Sequence, residues 1–156
     1  MASIKYKIGG FVLTFITLFM AMSNFTAYQN PEEASIIRGA FIESIEQQEK
    51  VFSNADTEKV YASFKANTEK YITGFRYGKS SLVKMIGSFI ALIGTLFIRR
   101  KHKIGIHLFL GGMLFSIVGS FYWHGMGFAG WMLTFMTVIF TAVVGLIVLR
   151  KRNQFH

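Results

Sequence analysis

His107 is the side chain best placed to do chemistry inside an apolar stretch of this 156-residue sequence. An imidazole there could ligate haem iron or carry a proton. A b-type haem held by two imidazoles needs both at similar depth, ordinarily on different helices. His102 lies five positions earlier, in the basic cluster before the stretch, and His124 at its far end, so one copy of the chain does not supply the pair. His107 and His124 are therefore cofactor candidates only with a symmetry mate or partner subunit. Otherwise His107, one turn from a basic cluster, reads as an interfacial histidine near lipid headgroups. No cofactor or metal site is expected, and no catalytic residue is assigned.

Ionisable groups deep in a span usually mark transport or proton pathways. Lys84 is the one lysine near such a position, and we read it as an anchor whose stem is buried while its ammonium snorkels to the interface. Small and hydroxylated residues form a more persistent pattern. Gly87, Ala91 and Thr95, then Gly112, Ser116 and Ser120, then Thr137, Thr141 and Gly145 each recur at four-residue steps. Such stripes let helix backbones approach closely in lipid, within one chain or between subunits. Asn24, Ser23 and Thr26 could join His124 in a polar cluster, although the sequence does not bring them together. Asn24, Phe25 and Thr26 also form a glycosylation sequon, read as chance because the membrane would block access. There is no phosphate-cradling glycine loop, metalloprotease signature or nucleophile elbow, and no cysteine for thiolate or disulfide chemistry.

The elements that must position these residues follow from hydropathy. Fifty-two per cent of the residues are hydrophobic, with 17 Phe and one Pro. They gather into uncharged runs of roughly 20 residues, enough to cross about 30 Å of hydrocarbon. The expectation is an all-α polytopic integral membrane protein with four transmembrane helices. Residues 1–27 hold the N-terminus and span one, residues 82–149 hold spans two to four, and residues 150–156 form a basic tail. Span one starts near Ile8, span two covers Leu82 to Ile98, span three Ile104 to Trp123 and span four Phe128 to about Leu149. A cleaved signal peptide fits the first run poorly, since cleavage after Ala27 would put Phe25 where a small residue belongs. The aromatic and glycine-rich turn from Tyr122 to Trp131 suits a membrane interface.

Residues 28–81 are expected to form an extracytoplasmic helical hairpin. Asn30, Pro31, Glu32 and Glu33 resemble a helix start, with Asn30 as cap. Ile37, Phe41, Ile45, Gln48 and Phe52 share one face, and Glu43, Glu46, Glu49 and Lys50 face solvent. Ser53 or Asp56 would cap a second helix carrying Val60, Tyr61, Phe64, Tyr71, Ile72 and Phe75, ending near Gly74 or Gly78. The two helices would continue spans one and two outward as long helices.

Charge sets the expected orientation. All eight acidic residues lie between Glu32 and Glu69, where eight basic residues up to Lys84 balance them. The whole net charge of +9 rests on Lys5 and Lys7, on Arg99, Arg100, Lys101 and Lys103, and on Arg150, Lys151 and Arg152. Four spans put these groups on one side, the cytoplasm by the positive-inside rule. Both termini are then cytoplasmic, in a plasma or bacterial inner membrane, and the basic groups anchor to anionic headgroups. Nucleic acid is not an expected partner, because a basic DNA-binding domain has no use for uncharged runs of this length.

Abundant packing chemistry beside absent catalytic motifs points to a non-catalytic structural or accessory subunit, or a homo-oligomeric four-helix bundle, with the hairpin as interaction surface. Its partners would be the lipid bilayer and copies of itself or other membrane subunits. One alternative is a small channel or transporter with a Ser/Thr-lined path between subunits. Another is a membrane redox or lipid enzyme using His107 or His124.

Overall fold

The computed structural model describes residues 2–52 and 54–150. Among the described residues there are six α-helices and no strand: α1 (Ala2–Gln29), α2 (Glu33–Val51), α3 (Ala55–Tyr71), α4 (Gly74–Arg99), α5 (Ile104–His124) and α6 (Phe128–Arg150). Among the described residues four segments are long and apolar enough to cross a membrane: Gly9–Gln29 of α1, and the whole of α4, α5 and α6. That is the pattern of an integral membrane protein. Lys151 and Arg152 of the expected basic tail lie outside the described residues, as does the candidate cap Ser53, and so do the side chains of Lys5 and Lys7.

Spans one, three and four run close to their expected bounds, whereas span two starts eight residues earlier than its hydropathy suggests, at Gly74. Thr73 begins it, extended in backbone, with its hydroxyl accepting from the Arg76 amide at 3.3 Å. The early turns hold Arg76, Lys79, Ser80 and Ser81, which depress hydropathy, but Ser80 and Ser81 are buried inside the protein.

The centre of the membrane part is the α4–α5 pair. Gly87 of α4 lies against Ser116 and the Gly112 carbonyl, and Gly112 lies against the Gly87 carbonyl and the Ala91 amide. Gly94 meets the Phe109 amide, and Gly105 meets the Gly94 carbonyl and the Ile98 amide. Without a Cβ at these points the two backbones touch. Gly87 and Gly94 are seven residues apart, as are Gly105, Gly112 and Gly119, and so are the buried Ser81, Ser88 and Thr95. A seven-residue period keeps one seam facing a neighbouring helix over several turns, at 3.5 residues per turn.

α1 packs on α4 and α6 packs on α5, with no comparable contact between α1 and α6. The spans thus stand in the order α1, α4, α5, α6, an arrangement less closed than the expected four-helix bundle. Phe109 and Met113 of α5, with Ala91 and Ile98 of α4, form the main core, flanked by Leu13 and Met20 of α1 and Phe140 and Val144 of α6.

The turn between α4 and α5 is closed by a Schellman pair, His102 N–H to Phe97 O at 3.0 Å and Lys101 N–H to Ile98 O at 2.9 Å. Lys101 takes the left-handed conformation, φ +59°, where glycine is usual. Arg99 to Lys103 are all exposed.

α2 and α3 pack on one another and are joined by Lys65, whose ammonium lies 2.7 Å from Glu49 and 3.6 Å from Glu46. The cap of α3 is not Asp56 but Asn54, whose side chain accepts from the Asp56 and Thr57 amides while Thr57 Oγ1 accepts from the Asn54 amide. Asn30 likewise does not cap α2. Its amide group donates backward to Thr26 O at 3.0 Å, sealing the end of α1. Nor do α2 and α3 continue the spans as unbroken helices: the chain leaves helical structure at Asn30–Glu32 and at Ile72–Thr73. Ile72, placed on the α3 face by periodicity, instead follows that helix and is fully buried with Ala34 and Ala129, so α2, α3 and α6 share a second core.

Candidate functional site

The polar groups with chemical potential converge where α3 ends, α4 and α6 begin and α5 ends. Helix ends leave backbone groups without helical partners. Here three of these are satisfied by side chains from other elements. Asn67 of α3 offers its Oδ1 to the Ala129 amide in the first turn of α6, at 3.0 Å. Arg76 of α4 donates to Trp123 O near the end of α5, at 2.9 Å, and its guanidinium carbon lies 5.0 Å from the centroid of the Tyr71 ring. His124, at the end of α5 and 1% exposed, meets Tyr71 O at the end of α3, with Nδ1 at 3.0 Å. Because a carbonyl only accepts, that bond places a proton on Nδ1.

The cations also suit the helix dipoles. Arg76 sits at the carbonyl end of α5, the negative pole. The turn Gly125–Gly127 is tight enough to need its glycines. Gly125 has φ +72° with the Tyr71 ring 3.0 Å from where a Cβ would stand, and Gly127 is covered by the Asn67 side chain. Phe128, opening α6, stacks on Phe64 of α3 with centroids 4.6 Å apart and meets Phe41 of α2 edge-on at 6.4 Å.

Below this knot runs a polar seam. Arg76, Ser80 and Lys84 recur every four residues along α4. Lys84 lies about three turns into the helix, and its ammonium donates to Leu133 O of α6 at 3.0 Å. That bond crosses to another span. Ser116 Oγ donates to Gly112 O at 3.1 Å and to Lys84 O at 3.3 Å, and Ser120 pairs with Thr134 at 2.7 Å. Thr95 and Thr141 turn their hydroxyls onto carbonyls of their own helices, Leu92 O and Thr137 O. The buried Thr68 and Ser80 hydroxyls have no hydrogen-bond partner among the described residues.

The remaining residues singled out by sequence are scattered. His107 is exposed in the first turn of α5, about 25 Å along the helix from His124 at 1.5 Å per residue. Asn24 donates to Met20 O at 2.7 Å and touches Ser88 Oγ at 3.5 Å, well apart from His124 in its bonding. Among the described residues no group of three or more His, Cys, Asp or Glu side chains is arranged to hold a metal ion. Of the span-four stripe, Thr141 and Gly145 are buried and Gly145 faces Leu110 of α5.

Sequence reasoning missed Asn67, Gly94 and Gly105. The glycines had a signal, the seven-residue period they share with Gly87 and Gly112. Asn67 had none, because it caps a helix 62 residues away. No known protein family matches the chain, and neither a curated protein nor a solved structure does.

Proposed function

We propose that this chain is a non-catalytic membrane subunit, structural or accessory, that assembles with copies of itself or with other membrane subunits and presents the α2–α3 pair as its interaction surface. The observation behind this reading is the use made of its polar groups. Asn67, Arg76 and His124 are each committed to a backbone group at a helix end, and Lys84 to a carbonyl of α6. The Asn67 and His124 bonds fasten α3 to the spans and those of Arg76 and Lys84 tie α4 to α5 and α6, a stiff platform in which, among the described residues, no side chains converge on a common reacting atom.

The α2–α3 pair then carries what the platform displays. Ile36, Val51, Phe52 and Val60 are exposed there, outside the four candidate spans, and Phe52 is 63% exposed. Around them stand the carboxylates, all of which fall in residues 32–69. The positive charges of Lys5, Lys7, Arg99, Arg100, Lys101, Lys103, Arg150, Lys151 and Arg152, which carry the whole net charge of +9, support an orientation with both termini cytoplasmic and the pair extracytoplasmic, like a hairpin standing over the spans.

Mass measurement of the protein extracted in mild detergent tests the reading. A particle of more than one chain is expected, and a strictly monomeric, partnerless one would overturn it. Orientation is tested separately by a C-terminal topology reporter, which should report the cytoplasm. Replacing Arg99, Arg100, Lys101 and Lys103 by neutral residues should weaken that orientation.

A further inference from the structure

Where α1 ends and α4 begins, the chain leaves an open cleft of about 470 Å³, within the size range of small-molecule sites. Gly74 and Gly78 of α4 form its floor by letting the turn at Pro31 come close. The Pro31 carbonyl lies 3.2 Å from where a Cβ of Gly74 would stand, and the Pro31 Cβ 3.5 Å from that of Gly78. The walls are aromatic: Tyr28 of α1 is 42% exposed and Phe75 of α4 is 67% exposed. Each side carries one charge. Glu32 stands on the turn, and Lys79 stands on α4 with its ammonium 5.7 Å from the centroid of the Phe75 ring.

The depth of the cleft is readable from its neighbours. Tyr28 lies in the last turn of the first apolar span, and Phe75 and Lys79 lie in the first two turns of the second. Trp123 meets Phe75 edge-on at 5.8 Å, and Tyr122 meets Trp123 at 5.3 Å. Aromatic rings of this kind gather at the level of lipid headgroups. The cleft therefore opens neither into the hydrocarbon centre nor into bulk water.

A molecule that satisfies such a cleft must bring an apolar body, an anionic group for Lys79 and a cationic group for Glu32. A purely anionic lipid would leave a carboxylate facing its phosphate. A choline headgroup has both charges, but its quaternary ammonium has no N–H to donate to Glu32. We propose that the cleft binds a zwitterionic phospholipid with a primary ammonium, a phosphoethanolamine headgroup, with the phosphate at Lys79, the ammonium at Glu32 and the acyl chains along Tyr28 and Phe75.

The test uses the full chain reconstituted in nanodiscs with equal parts of phosphatidylethanolamine, phosphatidylcholine and phosphatidylglycerol, then extracted in mild detergent for mass spectrometry of the retained lipid. Phosphatidylethanolamine should be retained at roughly five molecules for each molecule of either other lipid, the size of effect one interfacial ion pair gives. Glu32→Gln and Lys79→Gln should each return it to the bulk ratio. Both residues are exposed, so an unchanged thermal unfolding curve separates loss of binding from loss of fold. Wild-type protein without enrichment, enrichment of the choline lipid to the same degree, or enrichment that survives both substitutions would overturn the proposal.

Discussion

Asn67 holds the amide of Ala129 at 3.0 Å across 62 residues of sequence, so the first turn of α6 is capped by a helix outside the candidate spans. Asn67→Ala should therefore lower stability by about 0.5–2 kcal/mol, as loss of a helix cap does. Asn67→Asp, which keeps an accepting oxygen, should recover most of it. Thermal unfolding in detergent checks both, and equal losses in the two variants would mean that packing on Gly127, not the cap, is what matters.

The backbone contact between α4 and α5 makes a sharp prediction about two adjacent glycines. A methyl at Gly112 would strike the Gly87 carbonyl and the Ala91 amide, whereas at Gly111 it would meet nothing within 4 Å. Gly112→Ala should cost about 1–3 kcal/mol, the usual penalty of overpacking. Gly111→Ala should be neutral or stabilising by up to about 1 kcal/mol through helix propensity. The difference between their unfolding midpoints is the measurement.

Lys84 pits a hydrogen bond against the cost of an ammonium within a span. Its acceptor, Leu133 O, lies inside α6, where helical geometry already supplies an amide donor. Lys84→Met keeps a stem of similar length and removes the charge. Stability should change between nothing and a gain of about 3 kcal/mol, the cost of a lysine at a span centre on insertion scales. A marked loss would show that the bond to α6 outweighs the burial of charge.

Lys65 makes the α2–α3 contact pH-dependent at the alkaline end. The hydrogen bond to the Glu49 carboxylate outweighs partial burial and raises its pKa above the ordinary 10.5. A raised folded-state value means that the contribution is complete below 10.5 and fades as pH climbs through the higher folded value. Circular dichroism of the full chain should show no loss from this pair between pH 7 and 10, then a loosening that Lys65→Met abolishes. High salt should weaken the same contact, since the group is partly exposed.

The spans were legible because lipid imposes a length and forbids charge, so Ile104 to His124 and Phe128 to Arg150 differ from their expected bounds only at the ends. Span two was misjudged for the same reason in reverse. Ser80 and Ser81, like Arg76 and Lys79 beside them, look like water-facing residues by type, yet both serines are buried inside the protein. Local chemistry also failed where two partners competed. Asn30 precedes a proline and two glutamates as a helix cap should, but its side chain turns back to Thr26 O. His124 stood out by type alone, and nothing local could reveal that its partner is a carbonyl 53 residues earlier.

The seven-residue glycine period has a consequence for the order in which the molecule is built. α4 and α5 are neighbours in the chain, joined by the short turn 100–103, and their contact uses backbone atoms of both helices rather than side chains borrowed from elsewhere. Contacts local in sequence form with the least loss of chain entropy. These two spans can pair as soon as both are in the bilayer, before α6 exists to receive Lys84. α3 can close over the α5–α6 turn only afterwards, which makes the α2–α3 pair the last part of the fold to lock.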